Sequence, residues 1–228
     1  MCGRFTHRLT WQDIVRLYRL ILPQQPPPGF APTYNAAPTQ ALPIIRPLGD
    51  RPEDGRELVM AGWGLVPYWI KDLGARAYST INARADSIRD KPSYRQSFER
   101  RRCLVPATGW YEWQDVGRRR KRPLHMSPTA SPWAFAGIWD IWRGDGGPGV
   151  LSFAIVTTDA AASIRPYHPR MPVVLEERQF ETWMRGTPDE AASLMVPYPG
   201  EIDAWEVTTA VGDPRNNQPE LLHRVALL

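Results

Sequence analysis

The chain opens Met1-Cys2-Gly3-Arg4-Phe5. Aminopeptidases remove an initiator methionine when the next residue is small, and cysteine is small. The mature chain is therefore expected to start at Cys2, with an α-amine and a thiol on one carbon. No other position in a polypeptide offers this 1,2-aminothiol. Its amine, with a reference pKa of about 7.7–8.0, is roughly one-tenth free base at pH 7, against a few hundredths of a percent for lysine. A thiol of pKa about 8.5 is only a few percent thiolate at that pH. The pair suits attack on a carbonyl, because the amine forms an imine and the sulfur can close onto it as a five-membered thiazolidine. Many chains begin Met-Cys without any such chemistry, so other residues must supply the acid, the base and the binding groups.

The rest of the chain has to hold that terminus in place. Its 228 residues are 43% hydrophobic, enough to bury a core, and read as a single domain over 1–228. Twenty-four prolines argue against long helices and favour short strands and structured loops. A net charge of +4 permits a polyanionic partner without requiring one. Two cysteines, Cys2 and Cys103, form no disulfide framework, which indicates a reducing, cytoplasmic setting. The apolar run over residues 14–22 is broken by Arg16 and Arg19, so it is neither a signal segment nor a membrane span. Four scattered histidines and two distant cysteines lack metal-ligand spacing, so neither a metal nor a cofactor is expected.

Thr10 and Asp13 predict an N-cap with an acid at N3, and Trp11, Ile14, Val15, Tyr18, Ile21 and Leu22 recur at helical spacing, giving a helix over 10–22. A Pro-rich loop over 23–33 follows. Strands are predicted over 41–46, 58–67, 103–114, 124–128, 133–142, 150–158, 173–175 and 206–211. Helices are predicted over 93–101, 176–185 and 188–195. Residues 117–122 read as a basic hairpin tip, and 213–218 as a polar loop. Strands with helices set apart from them indicate an α+β domain.

Several stretches in order resemble the SRAP family, the SOS response-associated peptidases or abasic-site-processing proteins. They are Met1-Cys2-Gly3-Arg4-Phe5, Tyr34-Asn35-Ala36-Ala37-Pro38, Gly62-Trp63-Gly64-Leu65-Val66-Pro67, Ile81-Asn82-Ala83-Arg84, Gly109-Trp110-Tyr111-Glu112-Trp113 and His168-Pro169-Arg170-Met171-Pro172, with 207–222 similar to the family's C-terminal segment. The resemblance implies a mostly antiparallel, branched mixed sheet with a small β-barrel core and peripheral helices. It also implies binding of single-stranded DNA containing abasic sites and a thiazolidine DNA–protein crosslink through Cys2. The chain is expected to be a monomer, cytoplasmic and nucleoid-associated when on DNA.

Roles follow from the matched positions. His168 matches the family's catalytic histidine and would protonate the sugar ring oxygen so that the aldehyde opens. Glu112 sits between Tyr111 and Trp113; desolvation there would raise its pKa and fit it for moving protons in the imine step, whereas a solvent-facing strand glutamate is the alternative. Asn82 would orient the amine or the sugar, or else simply form a turn. Arg4, Arg84 and Arg170 are candidate phosphate ligands, Asn35 and Pro38 candidate shapers of the pocket floor. Trp69 is either a base-stacking wedge or a core residue. His7, His125 and His223 read as structural, Arg118 to Arg122 as a solvated tip, and Arg100 to Arg102 as surface charge. Two rival functions remain: an N-terminal-nucleophile cysteine peptidase or amidohydrolase, and a non-catalytic single-strand-binding module.

Overall fold

The structure, a computed structural model, describes residues 2–21, 25–70, 80–130, 133–144 and 148–225. The expected excision of Met1, the predicted helix end at Leu22 and residues 23–24 of the predicted loop fall outside them. In chain order the strands are β1 (Phe5–His7), β2 (Thr33–Ala36), β3 (Ala41–Pro47), β4 (Arg56–Trp63), β5 (Asn82–Arg84), β6 (Arg102–Pro106), β7 (Gly109–Asp115), β8 (Lys121–Pro128), β9 (Trp133–Trp142), β10 (Val150–Asp159), β11 (Arg170–Pro172), β12 (Val174–Glu176) and β13 (Ile202–Glu206). The helices are α1 (Trp11–Leu17), α2 (Arg95–Arg100), α3 (Phe180–Arg185) and α4 (Pro188–Ser193).

Strands β3, β4, β10, β9 and β6 pair in sequence, and the β9–β10 ladder closes them into a barrel. Side chains alternate across a strand. One set, including Leu42, Ile44, Ala61, Cys103, Val105, Phe135, Phe153 and Ile155, joins a single buried cluster. The other set, including Ile45, Leu58, Leu104, Ala136, Ile138 and Val156, packs with Ile14 of α1, Phe98 of α2, Phe180 and Trp183 of α3 and Ala191 of α4. Beyond the barrel, β10 branches to pair with β5 in parallel and with β11 antiparallel. A second sheet, ordered β13-β8-β7-β1-β2, sends Phe5, Trp110, Leu124 and Met126 into the barrel's cluster. The α+β expectation, with its branched sheet, barrel and outer helices, describes this architecture.

Local chemistry explains the element ends. Thr10 Oγ1 accepts from the Asp13 backbone, and Asp13 returns a bond to the Thr10 N–H, closing the predicted capping box. The helix stops at Leu17, short of the predicted 22, where Arg19 takes φ 51°. The predicted strand over 103–114 is two strands, because the chain turns at Ala107–Thr108 and moves from the barrel to the second sheet. The predicted strand over 206–211 is corrected as well. Strand β13 ends at Glu206, and Thr208 caps a 3-10 turn over Thr209–Gly212 by accepting from Ala210 N.

Arg102 also departs from expectation. It is buried, not surface charge, and donates to the carbonyls of Phe98, Glu99, Trp183 and Gly186. The barrel is thereby tied to α2 and α3.

Gly109 makes the closest approach in the second sheet, since a Cβ there would come 2.2 Å from His125 Cε1 and 2.7 Å from Met126 O. Gly109→Ala is expected to lower unfolding free energy by about 1–3 kcal/mol, read as an earlier urea midpoint. An unchanged midpoint would contradict this packing.

Candidate active site

Cys2 is fully buried, next to the strand that begins at Phe5. Phe5 packs edge-on against Trp63, with ring centres 5.1 Å apart, and against Phe135, 5.9 Å apart. Asn82 Nδ2 donates to Cys2 O at 2.8 Å. The carbonyls on both sides of that side chain are held in turn. Trp63 Nε1 donates to Ile81 O at 2.9 Å, and the Tyr94 hydroxyl donates to Asn82 O at 3.1 Å. Asn82 Oδ1 is buried with no partner among the described residues. An unmet acceptor costs about 1–3 kcal/mol, which a hydrogen-bonding substrate would offset.

Glu112 is 3% exposed. Alternation along β7 puts it on the same face as Trp110, toward the cluster that holds Cys2, so the expected desolvation is met. Burial raises its pKa to about 7. Burial also pushes the Cys2 thiol far above its ordinary value, and the Glu112 charge adds to that push. A thiol held protonated is a poor first nucleophile.

Gln114, two residues along the same face, donates to Pro166 O at 3.2 Å and so fixes the loop carrying His168 over Glu112's side of the sheet. Tyr167 packs on the Cys2 cluster. His168 Nδ1 lies 2.8 Å from Arg170 O and 3.0 Å from Arg170 N. It can donate to the first or accept from the second, so the ring can be held in place in either protonation state. Burial lowers the His168 pKa, which favours the neutral ring.

These four groups come from separate elements. The comparisons with known proteins give them a family. A profile of the SOS response associated peptidase (SRAP) family matches residues 1–214. The chain belongs to the SRAP family. It is 34% identical to "Abasic site processing protein YoqW" of Bacillus subtilis, over 97% of this chain and 99% of that one. It is 30% identical to "Abasic site processing protein HMCES" of Mus musculus, over 100% of this chain and 77% of the relative. A solved structure of a protein from Bacteroides thetaiotaomicron superposes with a TM-score of 0.74 at 28% identity, covering 96% of this chain and 93% of that one.

The remaining residues singled out in this SRAP chain divide by environment. Arg4 donates to Asn35 Oδ1 (2.8 Å), Val211 O (2.9 Å) and Gly212 O (3.1 Å), so much of its fork serves the fold. Asn35 is 1% exposed and its Nδ2 lies within hydrogen-bond reach of the carbonyls of Val211, Asp213 and Asn216. It organises the C-terminal turn that backs Arg4. Pro38 is half-buried in the turn after β2.

Arg84 is exposed and grips Asp86 at 2.6 Å. Arg170 is mostly buried. Its NH1 lies 3.4 Å from both Asp86 and Asp159, and its NH2 donates to Thr157 O at 2.7 Å. Asp86 was not visible as a participant from sequence, yet it sits between two candidate phosphate ligands.

Trp69 is 49% exposed, so the core alternative does not hold. With Tyr68, Arg95 and Arg100 it lines a cleft of about 260 Å³. Its loop is pinned by Trp142 Nε1 donating to Ile70 O. A larger cavity of about 700 Å³ lies elsewhere, among Arg19, Arg56, Glu177 and Glu181. Its charges are matched internally, Arg56 with Glu181 and Arg19 with Glu177, which suits a structural role. His7 and His125 are buried, their pKa values lowered by that burial to about 4 and about 3, in line with structural roles. Among the described residues no group of three or more His, Cys, Asp or Glu could hold a metal, and no helix is long and apolar enough to cross a membrane.

Glu112 also sets a pH dependence of stability. Its folded pKa of about 7 stands above the ordinary 4.5. Between those values the folded chain keeps a proton that the unfolded chain has released. Stability therefore falls as pH rises through that window. Glu112→Gln is expected to gain on wild type by roughly 3 kcal/mol between pH 4.5 and 7.5, measured by urea unfolding at each pH. Parallel pH curves for the two proteins would contradict this.

Proposed function

We propose that this chain processes abasic sites in single-stranded DNA by forming a thiazolidine crosslink through a mature N-terminal Cys2. The observation that supports it most is the pairing of Asn82 with the Cys2 carbonyl beside a glutamate that titrates near neutrality. The names of the relatives point to the same lesion.

The steps follow from the residues. His168 gives its Nε2 proton to the ring oxygen of the closed sugar and takes one back from the C1′ hydroxyl, so the ring opens to the C1′ aldehyde with no net change of protons. The free-base amine of Cys2 adds to C1′ to give a carbinolamine. Glu112 takes a proton from nitrogen and returns one to the departing hydroxyl, so one water leaves and the imine forms. The sulfur then adds to the imine carbon while its proton passes to nitrogen by way of Glu112. One water is lost overall, and no oxidant or reductant is consumed. Because the buried thiol stays protonated, the amine acts first and sulfur second. Asn82 Oδ1 supplies an acceptor for the amine or a sugar hydroxyl. Arg84 and Arg170 take phosphates once these displace Asp86; the exposed Arg84–Asp86 pair, worth at most about 1 kcal/mol, allows that exchange, and the Arg170–Asp86 contact is the longer of the two at 3.4 Å. Trp69 stacks on a base.

Sulfur closure also explains protection of the strand. An imine at C1′ acidifies the neighbouring C2′–H and opens the way to β-elimination and a break. Ring closure removes the imine. A cysteine peptidase of the rival kind would need a thiolate as its opening nucleophile, which this burial disfavours.

The test is Cys2→Ser with abasic single-stranded DNA on a denaturing gel. The wild type should give a band stable to heat and detergent. The variant should give a band only when borohydride traps the imine, together with more strand cleavage. An equally durable band from the variant would overturn the mechanism.

A further inference from the structure

We infer that a cleft opening beside Cys2, Glu112 and His168 holds the nucleotide next to the abasic residue on the same DNA strand. This rests on the reading of the site as an abasic-DNA centre and names where the strand continues.

The position of the cleft follows from register. Glu112 of β7 pairs with Leu124 of β8, which pairs with Glu206 of β13. Directly paired residues project from the same face of a sheet. Glu112, Leu124 and Glu206 thus form one row, spanning two strand spacings of about 4.8 Å each. Gln114 and Arg122 form the next row on that face. Over it lies a cleft of about 440 Å³ lined by Arg122, Leu124, Tyr167, Ala204, Glu206 and Arg224. Tyr167 directly precedes His168, so the wall of the cleft and the proposed acid share one loop. The cleft floor and Glu112 thus share one face of the sheet, Leu124 being the direct strand partner of Glu112.

The lining fits a nucleotide. Leu124 and Ala204 give an apolar floor and Tyr167 an aromatic wall, against which a flat base can lie. Arg122 and Arg224 supply cations for sugar-phosphate oxygens. Arg122 reaches Gln114 Oε1 at 2.5 Å and stands 3.5 Å from Glu206, and its Nε is buried with no partner among the described residues. Arg224 pairs with Asp203 and lies 5.0 Å from the ring centre of Trp205. Past Arg122 the hairpin continues into exposed Arg118, Arg119 and Arg120, which extend the positive surface away from the site. Glu206 is the acidic group of the lining, and it faces Arg122, so the entering phosphate meets a matched pair and not a lone carboxylate.

Three oligonucleotides test this: one with a central abasic site, one ending immediately 5′ of it, and one ending immediately 3′ of it. Crosslinking rates are measured at subsaturating protein for wild type, Arg122→Ala/Arg224→Ala, and the single variant Arg224→Glu at an exposed position. Wild type is expected to react about fivefold or more slower on one of the two trimmed strands, the loss of one stacked base and its phosphate. The double variant should fall to that rate on the full strand and lose nothing further on that trimmed strand. Its log–log salt slope should drop by about 0.7 for each phosphate contact removed. Arg224→Glu should show the same pattern in weaker form. Equal losses on all three strands, or none on any, overturn the cleft assignment. A cleft built for a peptide gives that second result. If wild type crosslinks none of the three, the abasic-site reading itself fails, and the cleft assignment with it.

Discussion

Phe5, wedged between the rings of Trp63 and Phe135 with no exposed surface, ties down the end of a chain that would ordinarily fray. Three residues earlier stands Cys2, and the same Trp63 holds the carbonyl before Asn82. One indole therefore fixes both the strand that follows Cys2 and the strand that carries its amide partner. In the proposed chemistry, an amine at Cys2 that must meet a scarce aldehyde gains most from being held where the proposed proton carriers are.

Burial also bears on the order of steps in the proposed chemistry. Burial raises Glu112 to about 7 and pushes the Cys2 thiol up, and the partial burial of His168 lowers its imidazole. Each shift disfavours a charge: the carboxylate, the thiolate and the imidazolium. At neutral pH this leaves a carboxyl that gives and takes protons readily, a neutral imidazole and an uncharged thiol. Such a set suits carbonyl condensation, in which protons move and no strong nucleophile is required at the outset.

The candidate groups were legible in the sequence because they sit in short local motifs. Cys2, Glu112 and His168 each have distinctive neighbours, and Thr10 with Asp13 marks a helix start by spacing alone. What was not legible depends on contacts across long separations. Arg102 looks like the end of a basic surface run, yet it is buried because Trp183 and Gly186, more than eighty residues away, present carbonyls to it. Tyr94 carries no signal for its bond to Asn82 O. Asp86 carries no signal of its own until folding sets Arg170 beside it. The break at Ala107–Thr108 was hidden because both flanking strands are apolar and aromatic, and nothing local records that the chain changes sheets there. Trp69 could be read as core or as wedge, and only its exposure separates the two.

The central claim is that the reactive nitrogen and sulfur both belong to Cys2. It is tested most directly by digesting the DNA-linked protein with nuclease and protease and sequencing the conjugate by tandem mass spectrometry. The account predicts an N-terminal peptide that begins at Cys2, lacks Met1 and carries the sugar on residue 2 with the loss of one water. A sugar attached to a lysine, or a conjugate that still carries the initiator methionine, would contradict it.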